Sequence, residues 1–280
     1  MPELPEVETV RRGLIPALQG QRLVRVEVRR PNLRLPFPPD MAARLTGRTI
    51  TAIDRRAKYL LFRLDGGEVL IVHLGMSGRM VIGGLRNAPP GPHEHVEFVT
   101  GEGRSVTFAD PRRFGLMVLC REEELSSHSL LKDLGPEPLE DAFSVAALNE
   151  ALVGKKGPIK TVLLDQHVVS GLGNIYVCEA LFRAGIDPTR PAQEIAGRLA
   201  AKLVPLIKQV LAEAIEAGGS SLRDHRQPSG ELGYFQHNFA VYGREGEACP
   251  GCDCDITRTG GIARIQQAGR STFYCAKRQK

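Results

Sequence analysis

No apolar stretch in the 280 residues approaches the roughly 18 needed to cross a bilayer as a helix, which excludes a helical membrane span. The first ten residues, MPELPEVETV, are acidic and hold no apolar run, so no signal peptide is expected and the chain reads as cytoplasmic. No internal repeat is visible, which argues against a solenoid. Cysteine is scarce before residue 249: Cys120 and Cys178 stand alone in apolar surroundings and read as inert core residues. Neither sign of charge dominates. Lys and Arg total 37 against 32 Asp and Glu, a net charge of +5, which by itself is only a weak pointer to a polyanionic partner.

What is present is an ordinary globular composition, 42% hydrophobic and 25% charged, in a length that suits one large domain or two of usual size. Arginine comes in doublets at 11–12, 29–30, 55–56 and 112–113, and its planar fork matches phosphate better than lysine does. Residues 5–15 predict a short helix: Pro5 suits a first turn, Glu6 and Glu8 complement the positive end of the helix dipole, and Val7, Val10 and Leu14 share a face. The period then changes. RLVRVEVRR alternates Val24, Val26 and Val28 with charged residues. RTITAIDRR, KYLLFRLDGGEVLIVHLG, HVEFVTGEGRSVTFAD and FGLMVLC continue as short strands and Gly-rich hairpins, which predicts a β-sandwich or barrel between about 20 and 120. Residues 83–94 read as a Pro/Gly-rich loop and 121–142 as a linker. From about 143 the pattern is helical, 218–238 is polar and Gly-rich, and a cysteine-containing segment follows.

Four constellations can carry chemistry. If Met1 is trimmed, Pro2 presents a secondary amine, partly neutral near pH 7, that can attack an aldehyde-like carbon, with Glu3 beside it as a proton donor. The plainer reading is that Pro2 and Pro5 only stiffen the entry to a helix. In DPRRFG, Phe114 at a turn tip suits a wedge between bases with Arg112 beside it; alternatively Arg113 pairs with Asp110 and Phe114 is core. Glycines around Met76 in HLGMSGRM allow a tight turn that presents that adaptable side chain, or packs it in the sandwich. LDQHVVSGLGNIYVCEALFRAG reads as two helical segments around a glycine turn, with Asn174 capping the second and Lys155, Lys156 and Lys160 adding charge or forming a solvated face. Cys249, Cys252, Cys254 and Cys275 cluster in the last 32 residues, which favours metal over disulfides. C-x2-C followed by Cys275 in a hairpin-like stretch resembles a zinc hairpin, with Arg270 before the third cysteine at its turn.

Together, PELPEVETVRRGL, RRAKYLLF, HLGMSG, DPRRFG, LLDQHVVSGLGNIY, GYFQHNFAVYGREGE and GRSTFYC closely resemble the bacterial formamidopyrimidine-DNA glycosylase family, in the family's order from residue 2 to residue 275. The resemblance implies an α+β chain. Residues 2–120 would form a catalytic domain of N-terminal helix plus β-sandwich, 121–142 a linker, and 143–243 a helical DNA-binding domain with a helix–two-turn–helix and a lesion-capping loop at 218–238. A zinc-finger-like β-hairpin would occupy 244–280. It implies a monomeric, bifunctional glycosylase and abasic-site lyase of base excision repair, which takes oxidised purines from double-stranded DNA through a Pro2 Schiff base and cuts by β,δ-elimination.

By the same resemblance Glu3 is the general acid, Lys58 contacts phosphate and serves β-elimination, and Arg270 binds phosphate and serves δ-elimination. Met76, Arg112 and Phe114 fill the space left by a flipped base, and His93, Arg112, Lys155 and Asn174 contact DNA. The family's finger pattern is C-x2-C-x16-C-x2-C, but 22 residues separate Cys252 from Cys275 here and Arg278 stands where the last cysteine is expected. One structural zinc is therefore expected with Cys254 as fourth ligand, or with an exogenous ligand, or the hairpin folds without metal.

Overall fold

The computed structural model describes residues 1–84, 89–220 and 228–280. The expected loop at 83–94 and the expected capping loop at 218–238 fall partly outside them. The chain divides into two compact units. One comprises 1–132 with 217–236, and the other 133–216 with 237–280.

In the first unit, α1 (Leu4–Leu18) follows directly on Glu3, whose N–H donates to Glu6 Oε2 at 2.9 Å and so satisfies an amide that the first helical turn leaves over. The helix outruns its expected end at 15. Pro16 removes one N–H only in the last turn, and Ala17 and Leu18 gain burial. Then come β1 (Leu23–Val28), α2 (Met41–Leu45), β2 (Ile50–Arg56), β3 (Tyr59–Leu64), β4 (Glu68–His73), β5 (Arg79–Gly84), β6 (Glu94–Thr100), β7 (Arg104–Ala109) and β8 (Leu116–Arg121). They form two four-stranded antiparallel sheets, β1-β6-β7-β5 and β2-β3-β4-β8. The sandwich reading holds and the barrel reading falls. One apolar core joins both sheets to the Val7, Val10 and Leu14 face of α1.

Two local readings are corrected. The alternation in β1 fails at Val24, which is 51% exposed, because the register with β6 slips between Leu23 and Arg25 and turns the chain by one residue. Gly83 and Gly84 do not begin a loop but end β5, paired with Ser105 and Arg104.

The second unit holds α3 (Val145–Leu152), α4 (Ile159–Leu163), α5 (Asn174–Ala184) and α6 (Arg198–Glu216), then α7 (Ile256–Thr259) and the hairpin of β9 (Ala263–Gln267) and β10 (Arg270–Tyr274). α4 and α5 flank turns organised by Gln166, whose side chain donates to the carbonyls of Leu164 and Leu172 and accepts from Gly171 N–H. Cys178 and Phe182 of α5 pack with Val241, Ile262 and Phe273 beneath the hairpin, so Cys178 is a core residue as expected. Among the described residues no helix is long and apolar enough to cross a membrane.

Glu179 is fully buried on α5, and its carboxylate accepts from three backbone amides, those of Ala240, Val241 and Tyr242, at 2.8–3.0 Å. Glu179→Ala would leave those donors without a partner in a dry site. The expected result is a loss of about 3 kcal/mol of stability, read as an earlier denaturant midpoint for this unit.

Candidate active site

The N-terminal helix presents Pro2 and Glu3 at its entry. Pro2 is buried, Met1 on its nitrogen is 49% exposed, and Glu3 is 4% exposed. Glu6 fixes this entry from both sides. Its Oε2 accepts from Glu3 N–H, while Oε1 accepts from Ser220 N–H at 2.8 Å and Ser220 Oγ at 2.9 Å.

One turn further on, Glu8 gathers three arginines. It accepts from Arg11 at 2.8 and 3.0 Å and from Arg12 and Arg55 at 3.1 Å. Burial opposes its charge, but the Arg11 and Arg12 hydrogen bonds and the Arg55 charge prevail and hold its pKa below the ordinary value. Arg55 in turn donates to Ala57 O at 3.1 Å, so the same network reaches the β2–β3 turn that carries Lys58. Ala57 there has φ 53, a left-handed conformation that suits a two-residue hairpin turn, and Lys58 is buried.

His73, at the end of β4, pairs across the sheet with Tyr59, their rings 5.0 Å apart, and its Nδ1 accepts from Gly75 N–H at 2.9 Å. Burial first, then the nearby charges of Lys58 and Arg34, lower its pKa to about 4. A neutral imidazole thus joins the Lys58 turn to the Met76 turn.

The tip of this unit is built on Asp110, which is fully buried. Its Oδ1 accepts from Ser77 Oγ at 2.6 Å and its Oδ2 from Gly115 N–H at 2.8 Å. Ser77 Oγ also accepts from Arg112 N–H at 3.1 Å. The Asp110 amide donates to His93 O at 2.9 Å. Gly75, at φ +66, lies so close to the opposite turn that a Cβ would stand 2.4 Å from Phe114 C and Gly115 N, which permits only glycine there.

Met76, Arg112 and Phe114 are thereby brought onto two locked turns, with His93 in the turn just before β6. Phe114 is 44% and Met76 40% exposed, and the Arg112 guanidinium lies 5.0 Å from the Phe114 ring centre. The alternative with Phe114 in the core and Asp110 paired to Arg113 falls, because the carboxylate is taken by Ser77 and Gly115. Met76 is likewise not packed inside.

In the second unit, Asn174 does not cap α5. Gly173 occupies the cap position, and Asn174 Nδ2 donates instead to Ser271 O at 2.9 Å. Lys160 is not part of a solvated face. It is fully buried and donates to the same carbonyl at 3.3 Å. Both anchor the residue next to Arg270, which opens β10 after a turn of Ala268 (φ 47) and Gly269 (φ 73) and lies exposed at the hairpin tip. Lys155 is half-buried, and its charge helps lower the pKa of Asp165, against burial and after the His167 bonds.

The thiols of Cys249, Cys252, Cys254 and Cys275 lie within 4.8 Å of one another and form a possible metal site. Cys254 Sγ is 3.6 Å from those of Cys249 and Cys275, and Cys275 Sγ is 3.9 Å from that of Cys252. These match the edge of about 3.8 Å of a tetrahedron with Zn–S bonds of about 2.3 Å. The Cys252–Cys254 pair, at 2.8 Å, is closer than that edge. The fourth thiol is therefore that of Cys254. Arg278 stands outside the set and donates to Pro250 O at 3.1 Å and Gly251 O at 3.2 Å.

Glu6, His73, Ser77, Asp110, Lys160 and Glu179 were not singled out from the sequence for these roles. For two of them a signal existed: His73 directly precedes the LGMSG turn, and Asp110 opens DPRRFG.

An antiparallel sandwich with two exposed apolar side chains at its tip, a helix–two-turn–helix and a four-thiol hairpin define a modular α+β class of protein. The family model for the formamidopyrimidine-DNA glycosylase N-terminal domain matches residues 1–117, and that for the H2TH domain of the same enzymes matches 134–226. A formamidopyrimidine-DNA glycosylase of Rhodospirillum rubrum is 62% identical over 281 residues, covering all of both chains. The crystal structure of the MutM (Fpg) protein of Thermus thermophilus is similar at 44% identity and TM-score 0.86, covering 99% of this chain and 98% of that one. A Lactococcus lactis Fpg variant, crystallised with Fapy-dG-containing DNA, is similar at 35% identity and TM-score 0.90 over the whole of both chains. The chain belongs to the formamidopyrimidine-DNA glycosylase family, the DNA glycosylases of base excision repair.

The His73 geometry has a pH consequence. Its folded pKa, about 4, lies below the ordinary 6.5, so the unfolded chain binds the proton more readily. The stability His73 contributes is full above about pH 6.5 and is lost as pH falls toward 4. His73→Asn, which keeps an acceptor for Gly75 N–H, should flatten this dependence; denaturant melts between pH 7 and 4.5 measure it.

Proposed function

We propose that the chain is a bifunctional glycosylase and abasic-site lyase for oxidised purines, 8-oxoguanine and formamidopyrimidines, in double-stranded DNA. The observation that carries the proposal is the helix entry: Pro2 followed by a buried Glu3 whose backbone is fixed by Glu6. With Met1 removed, the Pro2 nitrogen attacks C1′ of the damaged nucleotide. The glycosidic bond breaks, its electron pair leaves with the base, and the base takes up the proton that the amine gives up. The sugar ring then opens as the Pro2 nitrogen forms a double bond to C1′ and O4′ departs with a proton from Glu3. The resulting iminium withdraws electrons, so a C2′ proton is lost and the 3′ phosphate departs. A second elimination releases the 5′ phosphate, and water frees the amine.

In this reading Lys58 contacts phosphate and assists the first elimination, and Arg270 does so for the second. Phe114, Met76 and Arg112 fill the vacated stack. His93, Lys155 and Asn174 join Arg112 in holding DNA. Residues 2–120 carry the nucleophile, the proton donor and Lys58, 143–243 grip the duplex, and 218–238 cover the lesion. The four thiols hold one structural zinc, which cross-links the 249–254 segment to the hairpin and takes no part in the reaction. The Fapy-dG complex of the Lactococcus lactis relative supports the substrate class.

Borohydride reduction in the presence of an 8-oxoguanine duplex should trap one covalent adduct that maps to Pro2. An adduct on a lysine, or trapping only with a thymine glycol duplex, would overturn the nucleophile or the substrate assignment respectively. Phe114→Ala should lower excision from the lesion duplex about tenfold while changing cleavage of a ready-made abasic site by less than about threefold. Single-turnover assays on the two substrates decide it.

A further inference from the structure

We infer that residues 278–280 form a latch that holds the β9–β10 hairpin on α5 independently of the metal. The four-thiol set takes three sulfurs from the 249–254 segment and only one, that of Cys275, from the hairpin's end. A single ligand fixes a point and leaves the hairpin free to pivot about it. A second attachment is required to set its orientation.

Gln279 supplies it. The side chain is 1% exposed and both ends of its amide are used: Oε1 accepts from Cys275 N–H at 2.8 Å, and Nε2 donates to Ile186 O at 2.8 Å. The same glutamine therefore grips the residue that ends the hairpin and the segment that leaves α5. Lys280 extends the grip through its backbone. Its N–H donates to Gly185 O at 3.0 Å, and its carbonyl accepts from Asp187 N–H at 3.2 Å. Gly185 is the left-handed C-cap of α5, φ 68, so the latch closes on carbonyl and amide groups that lie beyond the helix's own ladder.

Arg278 completes the attachment. Its guanidinium lies 4.5 Å from the centre of the Phe182 ring on α5, and its Nη1 donates to the carbonyls of Pro250 and Gly251 in the segment that carries three of the thiols. Beside the hairpin's tip, Asn174 and Lys160 hold Ser271 O. The hairpin is thus secured by side chains at both ends, and the metal adds a cross-link within the 249–275 region. A buried amide with both ends bonded is costly to disrupt, because each partner is left without water. Gln279 and Arg278 are then positioning residues for Arg270. This consequence alone rests on the proposed role of Arg270, while the latch is a property of the free chain.

Hydrogen exchange of the full chain without DNA, followed by mass spectrometry of peptides covering 263–275, tests the latch. In wild-type protein stripped of metal by a chelator, hairpin exchange should stay within about threefold of the untreated protein. In Gln279→Ala with zinc supplied, it should rise about tenfold or more, with β3–β4 peptides unchanged as the folding control. Arg278→Ala should act in the same direction with a smaller rise, and it carries the test should the control peptides show that Gln279→Ala is unfolded. Full exchange of the hairpin on metal removal, or unchanged exchange in the folded latch variants, would overturn the inference. Neither result touches the glycosylase reading, which borohydride trapping decides separately.

Discussion

Burying the Asp110 carboxylate strips it of water, and the two turns around it have to replace that water. They do so with Ser77 Oγ on one oxygen and Gly115 N–H on the other. Because Ser77 lies in one turn and Gly115 in the other, neither turn can move without exposing a charged acceptor to a dry interior. The close approach of Gly75 to Phe114 and Gly115 removes what slack remains. Exposing Met76 and Phe114 to solvent is unfavourable, and the turns hold them there nonetheless. The rigidity made by a buried charge is what allows two apolar side chains to stand at a surface in a defined place.

Buried carboxylates serve the same purpose elsewhere. Glu6 accepts from the helix entry and from Ser220, Glu8 from Arg11, Arg12 and Arg55, and Glu179 from three consecutive amides. Each lies on a helix and reaches a segment distant in the chain. Each is two-pronged, so one side chain sets both position and orientation. The acidic start of the chain thus sets two structural clamps, Glu6 and Glu8, beside Glu3, the proposed proton donor, within one and a half helical turns.

The hairpin shows a different division of labour. Its tip is set by the Ala268–Gly269 turn and, beside it, by Asn174 and Lys160 through the Ser271 carbonyl, and its end by Cys275 and Gln279. A metal held by the four thiols would, with three of them on one segment, close that segment more than aim the hairpin.

Much was legible in the sequence, because period and turn chemistry are local. Alternation and Gly-rich hairpins announced a sandwich or barrel, the apolar stripe of α1 announced its buried face, and cysteine clustering announced a possible metal site. The exposed tip residues could be named because glycines and a proline surround them. What the sequence could not decide was set by pairing between distant residues. A register slip exposed Val24, Lys160 was drawn inside by the Ser271 carbonyl, and Asn174 was turned from a cap into an anchor. Cys254 lies in the thiol set, and Arg278 binds the carbonyls of Pro250 and Gly251. A charged or polar side chain takes its role from the partner that replaces its water, and in each of these cases the partner lies in another part of the chain, which only the folded arrangement brings near.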